Sequence, residues 1–201
     1  MSDSLKVLGI YGSPRRGGNT DVLLDEALKG AKEEGAKVES FRVSDFKITP
    51  CRGCHECSKK GICVIEDEMQ GIYPRLLEAD VVILASPIYF YGVTGWTKAL
   101  IDRCQALWAR KYTLNDPALG EQSPRRKGFF ISVGGTKGQR LFEGAEYTVK
   151  YFFDAFNTVY SGALLFRKVD ESGDIHKHPE ALPQAYAAGR KLVLEDNLRG
   201  V

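Results

Sequence analysis

Val7-Leu-Gly-Ile-Tyr-Gly-Ser-Pro-Arg-Arg-Gly-Gly-Asn-Thr20 decides the architecture. Val7 to Tyr11 is a short apolar run with β-forming residues, the mark of a strand buried on both faces. The residues from Gly12 to Thr20 are turn chemistry with two cations. Beyond them Val22, Leu23, Leu24, Ala27, Leu28 and Ala31 suit a helix with one buried face. A strand, a small polar loop and a helix N-terminus make an anion site, because N–H groups and hydroxyls converge there and the helix dipole favours negative charge. The triphosphate-loop pattern fails, since from Gly12 the lysine position is Gly18. The Gly-x-Gly-x-x-Gly pattern fails too, with Gly9 and Gly12 the only glycines before the loop. Ser13, Asn19 and Thr20 remain as donors, with Arg15 or Arg16 as charge, a set that suits one terminal phosphate. The plain alternative is a strand-to-helix turn with solvated arginines.

Outward from this stretch, strand and helix patterns alternate. Val38–Val43 reads as a second strand, at a sheet edge because its alternate residues are polar. Ile48–Cys63 is irregular and cysteine-rich. A helix is expected over Asp67–Glu78, interrupted or delayed by Pro74. Val81–Ala85 is the clearest buried strand, and Thr94–Leu107 a helix with Thr94 as N-cap. Gly128–Val133, the helix Gln139–Phe156, the strand Thr158–Phe166 and the helix Glu180–Leu198 complete the chain. Five strands separated by helices imply right-handed crossovers and a doubly wound α/β fold. The flavodoxin-like order 2-1-3-4-5, with helices on both faces, puts a ligand beyond the first and third strands.

The 201 residues are read as a single domain, 1–201, with a cysteine-rich loop 48–65 and a long loop 109–127. A net charge of +2 gives no global support for nucleic-acid or membrane attraction. No apolar run approaches a membrane span. The N-terminus lacks the basic and apolar regions of a signal peptide, so a cytoplasmic, reducing location is expected.

The fold directs attention to two further loops. After the third strand comes Ser86-Pro-Ile-Tyr-Phe-Tyr-Gly-Val-Thr-Gly95. A planar ring can lie against Pro87, Ile88, Tyr89, Phe90, Tyr91 and Gly92, with backbone N–H groups reaching its polar edge; the alternative is packing on a neighbouring subunit. After the fourth strand, Gly134, Gly135 and Thr136 can pass beneath such a ring.

These residues carry a resemblance. Gly-Ser-Pro-Arg-(x)-Gly-Gly-Asn-Thr, Ser-Pro-Ile-Tyr-Phe-Tyr-Gly-Val-Thr and Lys98-Ala-Leu-Ile-Asp-Arg103, in order over residues 5 to 170, resemble the NAD(P)H-dependent FMN reductase group of flavodoxin-like proteins. The resemblance implies FMN. It assigns Ser13, Arg15, Asn19 and Thr20 to the phosphate, Pro87 to Gly92 to the isoalloxazine, and Gly134 to Thr136 to its neighbourhood. It implies an FMN-dependent oxidoreductase whose chemistry comes from the flavin, with no catalytic side chain assigned.

Cys51, Cys54, Cys57 and Cys63 follow the spacing Cys-x2-Cys-x2-Cys-x5-Cys. Thiolates so closely spaced can wrap one [4Fe–4S] cubane. Four-cysteine zinc, a Cys-x-x-Cys disulfide and a loop that binds nothing are the rivals. The run resembles the compact cysteine motif of the iron–sulfur flavoproteins. That resemblance implies a homo-oligomer, dimer or tetramer, passing electrons between cluster and FMN. A one-electron carrier such as ferredoxin is then the natural donor; without a cluster, NAD(P)H reducing FMN and a quinone-like acceptor is simpler. A flavodoxin-like FMN carrier without turnover is a further alternative.

Cys104 reads as a buried small apolar residue. His55, His176 and His178 receive no role. The loop 109–127, opened by Trp108, Lys111 and Tyr112, is expected to cover a flavin site, its own or a neighbour's. Arg125-Arg-Lys127 reads as a solvated basic patch, which a reduced acidic carrier protein could alternatively use for docking.

Overall fold

The computed structural model describes residues 4–120, 123 and 126–197, with side chains described as far as residue 194. Five parallel strands, β1 (Lys6–Tyr11), β2 (Lys37–Arg42), β3 (Val81–Ala85), β4 (Arg126–Gly134) and β5 (Thr158–Arg167), form one sheet in the order β2-β1-β3-β4-β5. The central pairings run Val7 to Tyr11 against Val81 to Ala85, and Val81 to Ala85 against Lys127 to Ile131. The uninterrupted apolar run of β3 is buried along its whole length, as a central strand covered on both faces must be. Strand β2 buries only Phe41 fully and is the edge its polar alternation indicates.

Alternate residues of the sheet feed two cores. Val82, Leu84, Ile10 and Phe130 pack against α3 (Ile72–Glu78), α4 (Gly95–Arg103), α5 (Gln105–Trp108) and α6 (Glu143–Asp154). Val81, Ile83, Ala85 and Ile131 pack against α1 (Asn19–Glu33) and α7 (Ala181–Asn197). Helices α1 and α7 touch through small residues: a Cβ on Gly189 would lie 1.8 Å from the Ala27 carbonyl oxygen, and one on Gly30 2.2 Å from that of Tyr186.

Several expected boundaries move. The 67–78 helix starts late, one of the two outcomes expected of Pro74: α3 begins at Ile72, which puts Pro74 in its first turn, where a missing N–H costs little. A 3-10 turn, Glu68–Gly71, precedes it with Asp67 as cap. Thr94 caps α4 as expected, its Oγ1 accepting from Thr97 N at 3.2 Å. The helix expected from Gln139 begins at Glu143, since Gly138 and Gln139 turn their carbonyls to the Arg167 guanidinium at 3.0 and 2.8 Å. The final helix is seen through Asn197; Leu198 lies outside the described residues.

The 109–127 segment is not a free loop. A π-helical turn, Ala109–Thr113, continues α5, and a 3-10 turn covers Pro117–Leu119. Lys111 Nζ and Tyr112 Oη bind the Asp154 carboxylate at 2.7 and 2.6 Å, while Asn157 Nδ2 donates to the Gly120 carbonyl at 3.3 Å. These anchors hold its described part beside the end of α6 and the start of β5, and none of its described residues lines this chain's own carboxyl-edge groove. The described part of the basic patch is not solvated either. Arg126 donates to the carbonyls of Leu77 and Phe156 at 2.7 and 3.0 Å, and buried Lys127 to that of Leu192 at 3.0 Å. Of these carbonyls, that of Leu77 lies in the last turn of α3, where a cation is favoured; Arg125 lies outside the described residues. Among the described residues no helix is long and apolar enough to cross a membrane.

Candidate functional site

The turn after β1 is bound into the fold from several sides. Gly12 N–H donates to the Ala85 carbonyl at 2.7 Å, and the Gly12 carbonyl accepts from Thr94 Oγ1 at 2.6 Å and Thr97 Oγ1 at 3.1 Å. A Cβ at Gly12 would lie 2.3 Å from Thr97 Oγ1, so only glycine fits. Ser13 Oγ accepts from Arg15 N at 3.1 Å, closing a small ring. Gly18 stands at the N-cap of α1 with no side-chain cap, which leaves the helix's positive end for a ligand.

Behind the turn lies a buried ion pair that sequence reasoning missed. Arg42 Nη2 meets Asp21 Oδ2 at 2.6 Å, and Arg42 Nη1 donates to the Ser13 carbonyl at 2.6 Å. Asp21 also accepts from Gly17 N at 2.9 Å. The arginines of the turn divide: Arg15 lines the groove, while Arg16 pairs with Asp45 at 2.7 Å on the surface. Asn19 lines the groove too, but its amide is engaged. Its Oδ1 accepts from Gly173 N and Ile175 N, both at 3.1 Å, and its Nδ2 donates to the Glu171 carbonyl at 2.8 Å. It ties the segment after β5 to the start of α1.

The aromatic loop continues the sheet for two residues, Ser86 N donating to Ile131 O at 3.0 Å and Ile88 N to Val133 O at 2.9 Å. It then reverses in a two-residue turn. Tyr89 N and Gly92 N each donate to the other's carbonyl, at 2.9 and 3.0 Å. Phe90 and Tyr91 both take left-handed conformations, φ 50° and 62°, in the geometry that favours Asn-Gly. Both rings are exposed. The Tyr91 carbonyl sits 2.9 Å from the position of a Gly144 Cβ, so the turn rests on the head of α6.

The loops after β1, β3 and β4 meet at one groove. Ser13, Arg15, Asn19 and Thr20 line it from the first, Pro87, Ile88 and Tyr89 from the second, Gly134 and Gly135 from the third. Phe90, Tyr91, Gly92 and Thr136 lie outside that lining. Asp170, which no motif flagged, supplies a carboxylate to the wall beside Gly135.

Cys51, Cys54, Cys57 and Cys63 line a second cavity, of about 390 Å³. Left-handed residues at Gly53, His55 and Gly61 turn the loop between them, φ 65°, 59° and 69°. Cys51 and Cys54 are exposed, and Cys57 is buried at the start of the short helix α2 (Cys57–Lys60). All five cysteines are free thiols, so no disulfide joins the run. Among the described residues no three His, Cys, Asp or Glu side chains gather closely enough to hold a single metal ion. The backbone N–H of Glu56, then the Arg52 side chain, pull the Cys54 thiol down, whereas burial and then Cys63 push Cys57 up. His55 belongs to this wall; His178 stacks edge-on against Phe166, 5.7 Å between centroids.

A parallel sheet in the order 2-1-3-4-5, with a polar turn and an aromatic turn meeting at its carboxyl edge, is the architecture of the flavodoxin-like flavoproteins. The chain belongs to the NADPH-dependent FMN reductase family, whose model matches residues 5–163. It is accordingly an FMN-dependent oxidoreductase. An iron–sulfur flavoprotein of Methanocaldococcus jannaschii is 36% identical over 152 residues, 76% of this chain and 72% of the relative. An iron–sulfur flavoprotein of Methanosarcina thermophila is 33% identical over 150 residues, 75% and 72% of the two chains. Among solved structures, the NAD(P)H:quinone oxidoreductase from Methanothermobacter marburgensis superposes with a TM-score of 0.71 at 17% identity, over 94% of this chain and 96% of that one. At that identity it shares the fold.

Proposed function

We propose that the chain is an electron-transfer flavoprotein. It binds FMN in the carboxyl-edge groove and a [4Fe–4S] cluster on Cys51, Cys54, Cys57 and Cys63, and passes electrons between a donor and a small acceptor. The observation that carries the reading is that all four cysteines line one cavity. Cluster ligands surround a cubane rather than a point, so thiols spread around a cavity suit it better than a single ion. Bound flavin supplies both one- and two-electron chemistry, which lets a one-electron donor serve a two-electron acceptor.

In this reading the residues divide the work. Ser13, Thr20 and the first N–H groups of α1 hold the phosphate, with Arg15 as counter-charge. Asn19 holds the segment that closes the groove. Pro87, Ile88, Tyr89, Gly134 and Gly135 bracket the rings from within the groove, with Phe90, Tyr91, Gly92 and Thr136 around its rim. The partners are a ferredoxin-type carrier or NAD(P)H, a small-molecule acceptor and further copies of this chain as a homodimer or homotetramer, in the cytoplasm.

Anaerobic purification followed by iron, sulfide, zinc and flavin analysis tests the reading. Four irons and four sulfides per chain are expected beside one FMN, with Cys54→Ala removing the iron and sparing the flavin. A second reading, an NAD(P)H-dependent FMN or quinone reductase without a cluster, is favoured by the family model that matches residues 5–163, which is that of an NADPH-dependent FMN reductase. Iron-free protein that oxidises NAD(P)H at full rate would establish it.

A further inference from the structure

Arg103 ends the Lys98-to-Arg103 motif, and nothing in the flavin groove uses it. Its side chain is fully buried, unusual for arginine, and it lines the cavity of the four cysteines. Its Nη1 donates to the Thr49 carbonyl at 2.8 Å, two residues before Cys51, and its Nη2 to the Ile65 carbonyl at 3.2 Å, two residues after Cys63. The same fork meets both oxygens of Asp67, at 2.6 and 3.1 Å. Asp67 in turn accepts from Thr49 N at 2.8 Å and Met69 N at 3.1 Å. One guanidinium and one carboxylate therefore clasp both ends of the cysteine loop. Arg103 Nε is buried without a partner among the described residues, so one donor of the fork is unspent.

Resting on the cluster reading for its purpose, we propose that Arg103 is the positioning residue of the cysteine loop: it joins the loop's two ends and sets a fixed positive charge in the wall of the cavity that the four thiols share. Arginine suits the task because its planar fork reaches two carbonyls and a carboxylate at once, which a lysine ammonium cannot. The clasp forms the loop before any metal arrives, so it is testable on metal-free protein.

The experiment compares wild type, Asp67→Asn and Arg103→Lys as full chains, each checked for bound FMN as proof of folding. In iron-stripped protein, alkylation of each cysteine is followed by peptide mass spectrometry. Wild type is expected to react fast at Cys51 and Cys54 and slowly at buried Cys57. Both variants are expected to speed Cys57 by about tenfold or more, since losing charge-assisted bonds frees the loop ends. In anaerobically loaded protein the reduction potential is read as well. Asp67→Asn leaves Arg103 uncompensated and shifts the potential positive, whereas Arg103→Lys keeps the charge and leaves it near the wild-type value. Unchanged Cys57 reactivity in both variants overturns the proposal, as does an unmoved potential in Asp67→Asn protein that carries a cluster. Should wild type take up no iron at all, the cluster reading fails while the alkylation rates still decide the clasp.

Discussion

Replacing Arg42 with Met probes the turn from behind. The Arg42–Asp21 pair joins side chains that are only 9% and 3% exposed, so solvent does little to screen it. Removing one partner of such a pair costs about 3–5 kcal/mol, because the other charge stays buried and unpaired. Two features set the cost here toward the low end. Gly17 N–H still donates to Asp21, and Arg42 Nε is itself buried without a partner among the described residues, so the wild-type guanidinium is incompletely satisfied. Met keeps the stem volume but loses the 4.9 Å guanidinium stack on the Tyr11 ring and the bond to the Ser13 carbonyl. The expected loss is about 3 kcal/mol of stability, read by urea denaturation of FMN-free protein at pH 7. With Ser13 no longer braced, the dissociation constant for FMN, read by flavin fluorescence quenching, should rise about tenfold. A loss under about 1 kcal/mol with unchanged FMN affinity would refute the view that this pair presets the turn.

Other outcomes follow from the same geometry. Gly189→Ala drives a methyl into the Ala27 carbonyl and must part α1 from α7; about 2 kcal/mol is expected, a fall in Tm of about 5 °C by calorimetry, and an unchanged Tm would mean the helices slide freely. Phe90→Asn with Tyr91→Gly gives the turn the residues its left-handed pair favours, so stability should rise by about 1 kcal/mol while flavin turnover falls; loss of stability would show that the exposed rings pack on something. Burial alone would raise the Asp67 carboxyl, but bonds from Arg103, Thr49 and Met69 hold it below the ordinary carboxylate range. Its folded value lies below the unfolded one, so its contribution is present above pH ~4 and lost as pH falls through the folded value. Asp67→Asn should therefore flatten the acid limb of a stability–pH curve, and a curve parallel to wild type would count against the pairing. Burial pushes the Cys104 thiol up, so native protein at pH 8 should leave it unalkylated while Cys51 and Cys54 react.

The fold was legible because its signals are local. The Val-Val-Ile-Leu-Ala run of β3 reads as a buried strand, the alternation in β2 marks an edge, and Thr94 announces a helix start. Side chains whose partners lie far along the chain were opaque. Nothing near Arg42 points to Asp21, nothing near Arg103 to the two ends of the cysteine loop, and Asp170 enters the groove only because the chain folds back after β5. Asn19 shows the same limit from the other side, since its turn chemistry suits a phosphate donor while its amide serves a segment more than 150 residues away. The 109–127 stretch reads as a loop because its length and polarity hide the cationic and phenolic anchors that fasten it to Asp154.

The Asn19 tether has a consequence for biosynthesis. A nascent chain extrudes its N-terminal strand, turn and helix first, yet the partners of Asn19 lie 152 to 156 positions downstream. At roughly 5–20 residues per second, the half-made groove waits many seconds for its last wall. Flavin capture is therefore expected only once this downstream segment has emerged, and a chain truncated after β5 is expected to hold FMN more weakly than the full chain, as flavin fluorescence quenching would show.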